Sequence, residues 1–192
     1  MTEALDPLAE ELRRELGDAI VSIERGAEGS EICILVRSEE VAAVAATLRS
    51  RFRYTRLVDL CAADYPERER RFEVVYHLYS FRENRRIRLK TRAGEGSPVP
   101  SVTGVWRGAG WPEREVHDLF GIAFTGHPDL SRILLWEGFA GHPLRKDFPL
   151  AGIDTGAALH LDPPDVPGAS PAAGDGTVPA ARPEATAEDD AR

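Results

Sequence analysis

Residues 113–150 of the chain read E-R-E-V-H-D-L-F-G-I-A-F-T-G-H-P-D-L-S-R-I-L-L-W-E-G-F-A-G-H-P-L-R-K-D-F-P-L. Charged, aromatic, glycine and proline residues are mixed here at a density that a hydrophobic core does not require. The chain before this stretch alternates between helical and strand-like patterns, and the chain after it contains no aromatic residue. The stretch therefore predicts a specified surface that the rest of the fold presents.

A short helix is predicted from Pro112 to Phe120. Proline suits the first position of a helix, Glu113 and Glu115 suit its electropositive first turn, and Gly121 suits its C-terminal stop. On a helix the two glutamates point about 200° apart. Nine residues are too few to form a helix in isolation, so tertiary or intersubunit packing must stabilise this one.

The same stretch predicts an irregular docking extension after the helix. Arg114 and Asp118 are four residues apart and are expected to pair along the helix. Beyond the helix, glycines and prolines alternate with short apolar pieces at 122–124 and 133–136. Such a pattern indicates repeated turns with defined geometry.

Working outward, the upstream chain predicts an α+β fold, with helices on one face of a mostly antiparallel sheet in the order α-β-β-α-β-β-β. The predicted elements are a helix over 6–16, strands over 19–24 and 31–36, a helix capped by Ser38, and strands over 54–62, 71–81 and 85–92. The largely apolar strand 54–62 is expected at the centre of the sheet.

Three regions follow from composition: an α+β domain over 1–100, the helix and docking extension over 101–150, and a Pro/Ala/Gly-rich acidic tail over 151–192. The formal net charge is −8, and the tail holds eight acidic and two basic residues, so it carries −6 and residues 1–150 carry −2. We expect most of the tail to be disordered, because it buries too little apolar area to offset its ordering entropy.

The strand over 85–92 carries a row of four cations opposite its apolar face: Arg86, Arg88, Lys90 and Arg92. A solvated face or an edge strand protected from aggregation is the favoured interpretation. An acidic partner protein and nucleic acid are the functional alternatives. Nucleic acid is disfavoured, because residues 1–150 have no net positive charge and no aromatic residues interleave with these cations.

Several classes of protein are disfavoured by missing patterns. Cys33 and Cys61 stand singly in strand-like runs, without the spacing of a thiolate zinc or iron–sulfur site, and are expected to be free thiols. No apolar run is long enough to cross a membrane, and the acidic N-terminus is unlike a signal peptide. Phosphate-binding glycine motifs and the nucleophile elbow of hydrolases are also missing.

A stand-alone enzyme using the residues of the stretch remains an alternative. The histidines His117, His127 and His142 occur among Asp118, Asp129 and Asp147, but their spacing fits no compact set of metal ligands. Each histidine is more simply a hydrogen-bonding turn or helix residue. The carboxylates of Glu113, Glu115 and Asp118 could serve acid–base chemistry, but they diverge around the helix.

The stretch resembles the signature of the 30 kDa subunit family of respiratory complex I. The resemblance rests on residues 113–122 (E-R-E-V-H-D-L-F-G-I), 126–134 (G-H-P-D-L-S-R-I-L) and 143–149 (P-L-R-K-D-F-P), with 100–106 (P-S-V-T-G-V-W) upstream. It covers about residues 30–150.

The resemblance implies a non-catalytic structural subunit of the peripheral arm, on the cytoplasmic side of the bacterial membrane and bound to that membrane indirectly. It implies partners in the quinone-site large subunit and the iron–sulfur subunits. It also implies that this chain binds no cofactor or metal, while NADH, FMN, iron–sulfur clusters and quinone belong to the complex. Equivalent subunits of membrane-bound hydrogenases or of oxidoreductases with other donors are the close alternative.

The expected interface between subunits follows the signature motif. Its residues are Glu113, Arg114, Glu115, Asp118, Phe120, Gly121, Gly126, His127, Pro128, Arg132, Pro143, Arg145, Lys146, Asp147, Phe148 and Pro149. Arginine and tryptophan, here including Trp111 and Trp136, are typical interface anchors. Because buried charges are costly unless paired, we expect Glu113, Arg114, Glu115 and Asp118 to pair across the subunit boundary.

Overall fold

The structure of the chain is a computed structural model that describes residues 7–25 and 31–150. The α+β class predicted from sequence is confirmed. The elements are α1 (Pro7–Leu16), β1 (Ile20–Arg25), β2 (Ile32–Val36), α2 (Val41–Ser50), β3 (Arg56–Asp64), β4 (Phe72–Ser80), β5 (Arg85–Ala93), β6 (Val99–Pro100), α3 (Gly110–Phe120) and β7 (Phe124–Thr125).

The main sheet has five strands in the order β1-β2-β5-β4-β3. β2 and β5 are parallel, and the other three neighbouring pairs are antiparallel. β3 therefore lies at an edge, and the prediction that it is central is wrong. An apolar run does not distinguish a central strand from an edge strand beside another element, and here α3 packs next to β3.

The hydrophobic core joins both helices of the first half to one face of the sheet. Leu12 of α1, Leu48 of α2 and Leu89 of β5 are fully buried in it, and the same cluster continues into Val102 and Val116. Residues from both predicted regions, 1–100 and 101–150, thus share one core. The predicted acidic tail, residues 151–192, lies outside the described residues.

The start of α2 differs from the prediction. Ser38 lies inside a 3-10 turn that leads into the helix, and Arg37 is the extended residue before that turn. No side-chain cap hydrogen bond forms there, and the Ser38 hydroxyl is buried without a hydrogen-bond partner. The prediction of Ser38 as the cap is wrong because helical backbone begins at that residue instead of after it.

The cationic face of β5 is that of a central strand. Ile87 and Leu89 are buried on the core side, as predicted, while the alternate residues point away. The edge-strand interpretation is wrong, because β5 lies between β2 and β4. On the outer face, Lys90 Nζ lies 2.9 Å and Arg92 Nε 3.2 Å from the carboxylate of Glu73.

Among residues 7–25 and 31–150, no helix combines the length and the apolar composition needed to cross a bilayer.

Candidate docking surface

The helix α3 positions the residues of the signature. It begins at Gly110, two residues before the predicted start, because a 3-10 turn continues directly into it. It ends at Phe120, and Gly121 caps it in the left-handed conformation with φ of 75°, as predicted. A Cβ at Gly121 would lie 2.6 Å from the His142 ring, so this position requires glycine for both its backbone angle and its close contact.

Glu113 is a structural residue at the start of α3. Its side chain is 0% exposed. Its Oε1 accepts a hydrogen bond from the backbone N–H of Val102 at 2.7 Å, and its Oε2 accepts one from the hydroxyl of Ser101 at 2.6 Å. Burial raises the pKa of this carboxyl above its ordinary value, although both hydrogen bonds oppose that shift. Glu113 thereby joins α3 to the chain that follows β6.

We expect Glu113→Gln to remove a pH dependence of stability. A carboxyl whose pKa is raised by folding favours the native state most below its unfolded value of about 4.3, and this contribution falls as pH rises through the folded pKa. Glutamine can accept from Val102 and donate to Ser101 while staying neutral. The unfolding free energy of the variant relative to wild type should therefore rise with pH from about 4 upward. Urea unfolding across pH 4–8 measures it, and a flat or falling difference would contradict the assignment.

Asp118 organises the first turn of the extension, which we define as residues 126–150. Its side chain is 1% exposed, and its Oδ2 accepts the backbone N–H groups of Ile133 at 3.2 Å, Leu134 at 2.9 Å and Leu135 at 2.8 Å. The Arg132 guanidinium lies 3.4 Å from Oδ1. Burial alone would raise the pKa of Asp118, but the three N–H donors and Arg132 outweigh it, so the pKa is lowered. The carboxylate is thus ionised and satisfied within the chain.

The predicted pair between Arg114 and Asp118 is wrong. Arg114 donates instead to the carbonyl of Ser131 at 2.9 Å, to its hydroxyl at 2.9 Å and to the carbonyl of Arg132 at 2.8 Å. The acceptors of the extension compete successfully for this guanidinium, and Arg132 takes the place beside Asp118. Helical spacing alone could not reveal either partner.

The expectation of charge pairs across a subunit boundary is also corrected for two residues. Glu113 and Asp118 are buried and already hydrogen-bonded inside this chain, so a partner cannot reach their carboxylates. Glu115, on the opposite side of α3, is exposed as its helical position predicts. Pairing with a partner remains a proposal for Glu115 and for the exposed part of Arg114.

Each histidine of the stretch faces a backbone carbonyl, so the prediction of hydrogen-bonding histidines is confirmed. His117 Nδ1 donates to Ile122 O at 2.9 Å. His127 Nε2 donates to Gly110 O at 3.0 Å. His142 Nδ1 donates to the carbonyl of Asp118 at 2.8 Å. Within the described parts of the chain, no cluster of three or more His, Cys, Asp or Glu side chains could hold a metal ion.

Arg145 attaches the second half of the extension to the end of α3. Its Nε donates to the carbonyl of Phe120 at 2.7 Å, and its NH1 donates to Glu95 at 2.7 Å. The guanidinium also lies over the ring of Phe72, with 5.1 Å from its carbon to the ring centroid. The exposed C-terminal carbonyls of a helix attract a cation at this position.

A second attachment lies at the end of β3, and the sequence analysis missed it. Asp64 is fully buried and forms a bidentate pair with Arg71, with distances of 2.8 and 2.6 Å. The same carboxylate accepts the backbone N–H of Lys146 at 2.8 Å, and Arg71 NH1 reaches Asp147 at 2.9 Å. The partners are separated by up to 82 positions, so no local pattern links them.

The residues predicted for the interface therefore divide by exposure. Phe120 is buried in the core with Glu113 and Asp118. The half-buried ones are Arg114, Gly121, His127, Arg132, Pro143, Arg145 and Phe148, and the exposed ones are Glu115, Gly126, Pro128, Lys146, Asp147 and Pro149.

The structure also places large apolar side chains on the exposed side of the extension and of α3. Trp136 is 50% exposed, Leu134 61% and Trp111 67%. The Trp136 ring meets Phe139 edge-on with centroids 4.8 Å apart, and Phe139 stacks on Phe148 at 6.0 Å. These contacts hold the aromatic rings in place while leaving Trp136 open to solvent. A rigid, partly apolar surface of this kind is typical of protein interfaces.

Comparison with known proteins identifies the family. Residues 34–154 match the family model described as "Respiratory-chain NADH dehydrogenase, 30 Kd subunit", which covers more than half of the chain. The chain belongs to this family. The match begins within β2 and includes α3, the extension, and the attachments made by Glu113, Asp118, Asp64 and Arg145.

Curated relatives of this 30 kDa protein are named as one subunit of NADH-quinone oxidoreductase. The chain is 50% identical over 153 residues to the relative from Methylobacterium sp. (strain 4-46), covering 79% of this chain and 70% of the relative. It is 48% identical over 154 residues to the relative from Rhizobium meliloti (strain 1021), covering 79% and 76%. The 30 kDa subunit is thus part of a hetero-oligomeric, membrane-associated respiratory complex of the complex I type.

A solved structure shares the fold. A chain of the membrane-bound sulfane sulfur reductase (MBS), an archaeal respiratory membrane complex, superposes with a TM-score of 0.57, covering 74% of this chain and 84% of that chain. The two sequences are 22% identical, so this likeness shows the fold alone.

Proposed function

We propose that this chain is a non-catalytic structural subunit in the peripheral arm of a proton-pumping NADH:quinone oxidoreductase. It docks against the quinone-site large subunit and neighbouring iron–sulfur subunits, on the cytoplasmic side of the bacterial membrane. Its contact with the membrane is indirect. NADH, FMN, the iron–sulfur clusters and quinone are held by other subunits.

The observation that supports this proposal most directly is the state of the extension. Its backbone is held by buried Asp118 at one end and by Asp64 at the other, and between them it exposes Leu134 and Trp136. An enzyme site needs free, convergent polar groups in a cleft. Here the polar groups of the signature are used to fix backbone, and the exposed groups are apolar anchors.

The experiment is a tagged pull-down from gently solubilised membranes, with partners identified by mass and with iron and flavin assayed. Recovery of a quinone-site subunit, iron–sulfur proteins and a flavoprotein supports the proposal, and the flavoprotein identifies the donor. A hydrogenase or another donor module in its place would favour the related complexes. Recovery of this chain alone, free of iron and flavin, would refute the proposal.

Trp136→Ala is expected to weaken association of the chain with its partners by about 30-fold or more, because a central aromatic anchor contributes about 2 kcal/mol or more. The free chain should keep its stability, since half of this side chain is exposed. The measurement is the fraction of tagged chain recovered with partners at falling expression levels. Val58→Ala, which shortens a 46% exposed side chain on β3, is the control, and equal losses in both variants would contradict the assignment.

A further inference from the structure

The turn between β4 and β5 presents an exposed aromatic ring on a rigid support. We call residues 81–84 the hairpin tip. The Tyr79 hydroxyl donates to Asn84 Oδ1 at 2.6 Å, and the backbone N–H of Glu83 donates to the Ser80 hydroxyl at 3.3 Å. Asn84 has a φ of 46°, which asparagine tolerates better than most residues. These contacts fix the tip without any contribution from Phe81.

Phe81 is 64% exposed, and its ring meets Tyr79 edge-on with centroids 4.9 Å apart. A tight turn needs Gly, Asn or Asp and gains nothing from an aromatic residue. Single exposed apolar side chains are common on protein surfaces, so exposure alone carries no weight. A preorganised aromatic ring beside arginines, however, has the composition and the low ordering cost of an interface anchor.

The charge around Phe81 is positive. Residues 81–86 contain three arginines and one glutamate, a net charge of +2. Arg82 is exposed beside Glu83, 3.5 Å away, and Arg86 is exposed on β5. Arg56, also exposed, lies opposite Tyr79 at the start of β3. A surface of this sign is complementary to an acidic partner.

The hairpin tip lies at the far end of the sheet from the extension. Arg71 and Asp147 meet just before Phe72, where β4 begins, whereas the tip follows Ser80, where β4 ends. Eight residues of strand separate Phe72 from Ser80, which is about 27 Å at 3.3 Å per residue. One partner surface of ordinary size, about 800 Å² on each side, does not readily cover both places.

We infer that the hairpin tip is a second interaction site, separate from the extension, which binds an acidic surface of another subunit through Phe81 and its flanking arginines. This inference rests on the proposed function, because it requires that the chain work inside a complex. It adds to that function a role as a spacer that contacts partners at both ends of its sheet. A membrane or a nucleic acid, which would also attract the arginines, is an outcome that the test can reveal.

The test uses the photo-crosslinking residue p-benzoylphenylalanine, introduced singly into the full-length chain in cells at position 81, at position 136 or at position 21. Position 136 reports on the extension. Position 21 is the matched control, since Val21 is 60% exposed on the edge strand β1. The expected result is crosslinking from position 81 to an acidic segment of another subunit, crosslinking from position 136 to a different segment, and none from position 21.

The failures are distinguishable. Crosslinks from position 136 without any from position 81 would overturn the hairpin site and leave the proposed function intact. No protein crosslink from either position would refute the proposed function as well. Crosslinks from position 81 to lipid, nucleic acid, a second copy of the chain or a basic segment would each overturn the inference, as would equal crosslinking from position 21.

Charge variants complete the test. Arg82→Gln combined with Arg86→Gln should lower the crosslink yield from position 81 at least threefold and leave the yield from position 136 unchanged. Arg13→Gln combined with Arg14→Gln removes the same charge from the exposed side of α1 and should change neither yield. An unchanged yield in the hairpin variant, with thermal unfolding like that of wild type, would overturn the role of the arginines.

Discussion

Replacing Asp118 with alanine is expected to destabilise the chain by about 3–5 kcal/mol, the cost of breaking a buried, hydrogen-bonded charge. The carboxylate accepts three consecutive backbone N–H groups, from Ile133 to Leu135, and the variant leaves all three without an acceptor. Urea unfolding measures the total loss. Hydrogen exchange at residues 133–135 should show the largest loss of protection, because these amides lose their acceptor directly.

Glu115→Ala is the matched control for this prediction. It removes a carboxylate from the same helix, three residues earlier, but from the exposed side. Surface substitutions of this kind usually change stability by about 0.5 kcal/mol or less. If Asp118→Ala and Glu115→Ala gave equal losses, or if exchange at residues 133–135 stayed slow, Asp118 would not be the residue that organises this turn.

The second large effect is expected from Arg71→Ala, which should cost about 3–5 kcal/mol by leaving the carboxylate of Asp64 buried and unpaired. Arg71 also reaches Asp147 at 2.9 Å, so the variant should free the end of the extension from the sheet. Arg71→Lys should recover only part of the loss, because an ammonium group does not reproduce the bidentate geometry. Chemical unfolding and proteolysis within residues 143–150 measure the two effects.

The same pair predicts the response to acid. The Arg71 guanidinium, together with the Lys146 N–H, holds the pKa of Asp64 below its usual range despite burial. A carboxyl with a lowered folded pKa stabilises the native state above its unfolded value of about 3.9, and that contribution is lost as pH falls through the folded pKa. Wild type should therefore lose stability on acidification over this range, and Arg71→Ala should show less of that loss.

Arg68→Ala is the control for Arg71. Arg68 lies on the same strand connection but is more exposed, and its guanidinium is 3.5 Å from Glu73, which Lys90 and Arg92 also contact. A partly exposed pair contributes about 0–1 kcal/mol. A loss from Arg68→Ala as large as that from Arg71→Ala, or full recovery in Arg71→Lys, would argue against a specific role for the bidentate pair.

Local patterns were sufficient for most of the elements. The apolar spacing of α1 and α2, the alternation of β5 and the glycine after α3 are properties of neighbouring residues, and each predicted element lies within two residues of its observed position. The family was likewise readable from residues 113–149, because its motif is long and contiguous. Placement within the sheet was not readable, because strand order depends on pairing between distant segments. β3 at the edge and β5 at the centre both show this.

The candidate surface divides in the same way. The amino-acid sequence by itself determined the α+β class, the helix α3 and its stop at Gly121, and the stretch that carries the family signature. Only the tertiary structure decided what its charged residues do. Glu113 and Asp118 turned inward to backbone N–H groups, and Arg71 and Asp64 received the end of an extension more than seventy residues away. The reason is physical: helix spacing fixes which side chains are neighbours on one element, but a buried charge takes its partner from whatever backbone or side chain the fold brings within about 3 Å.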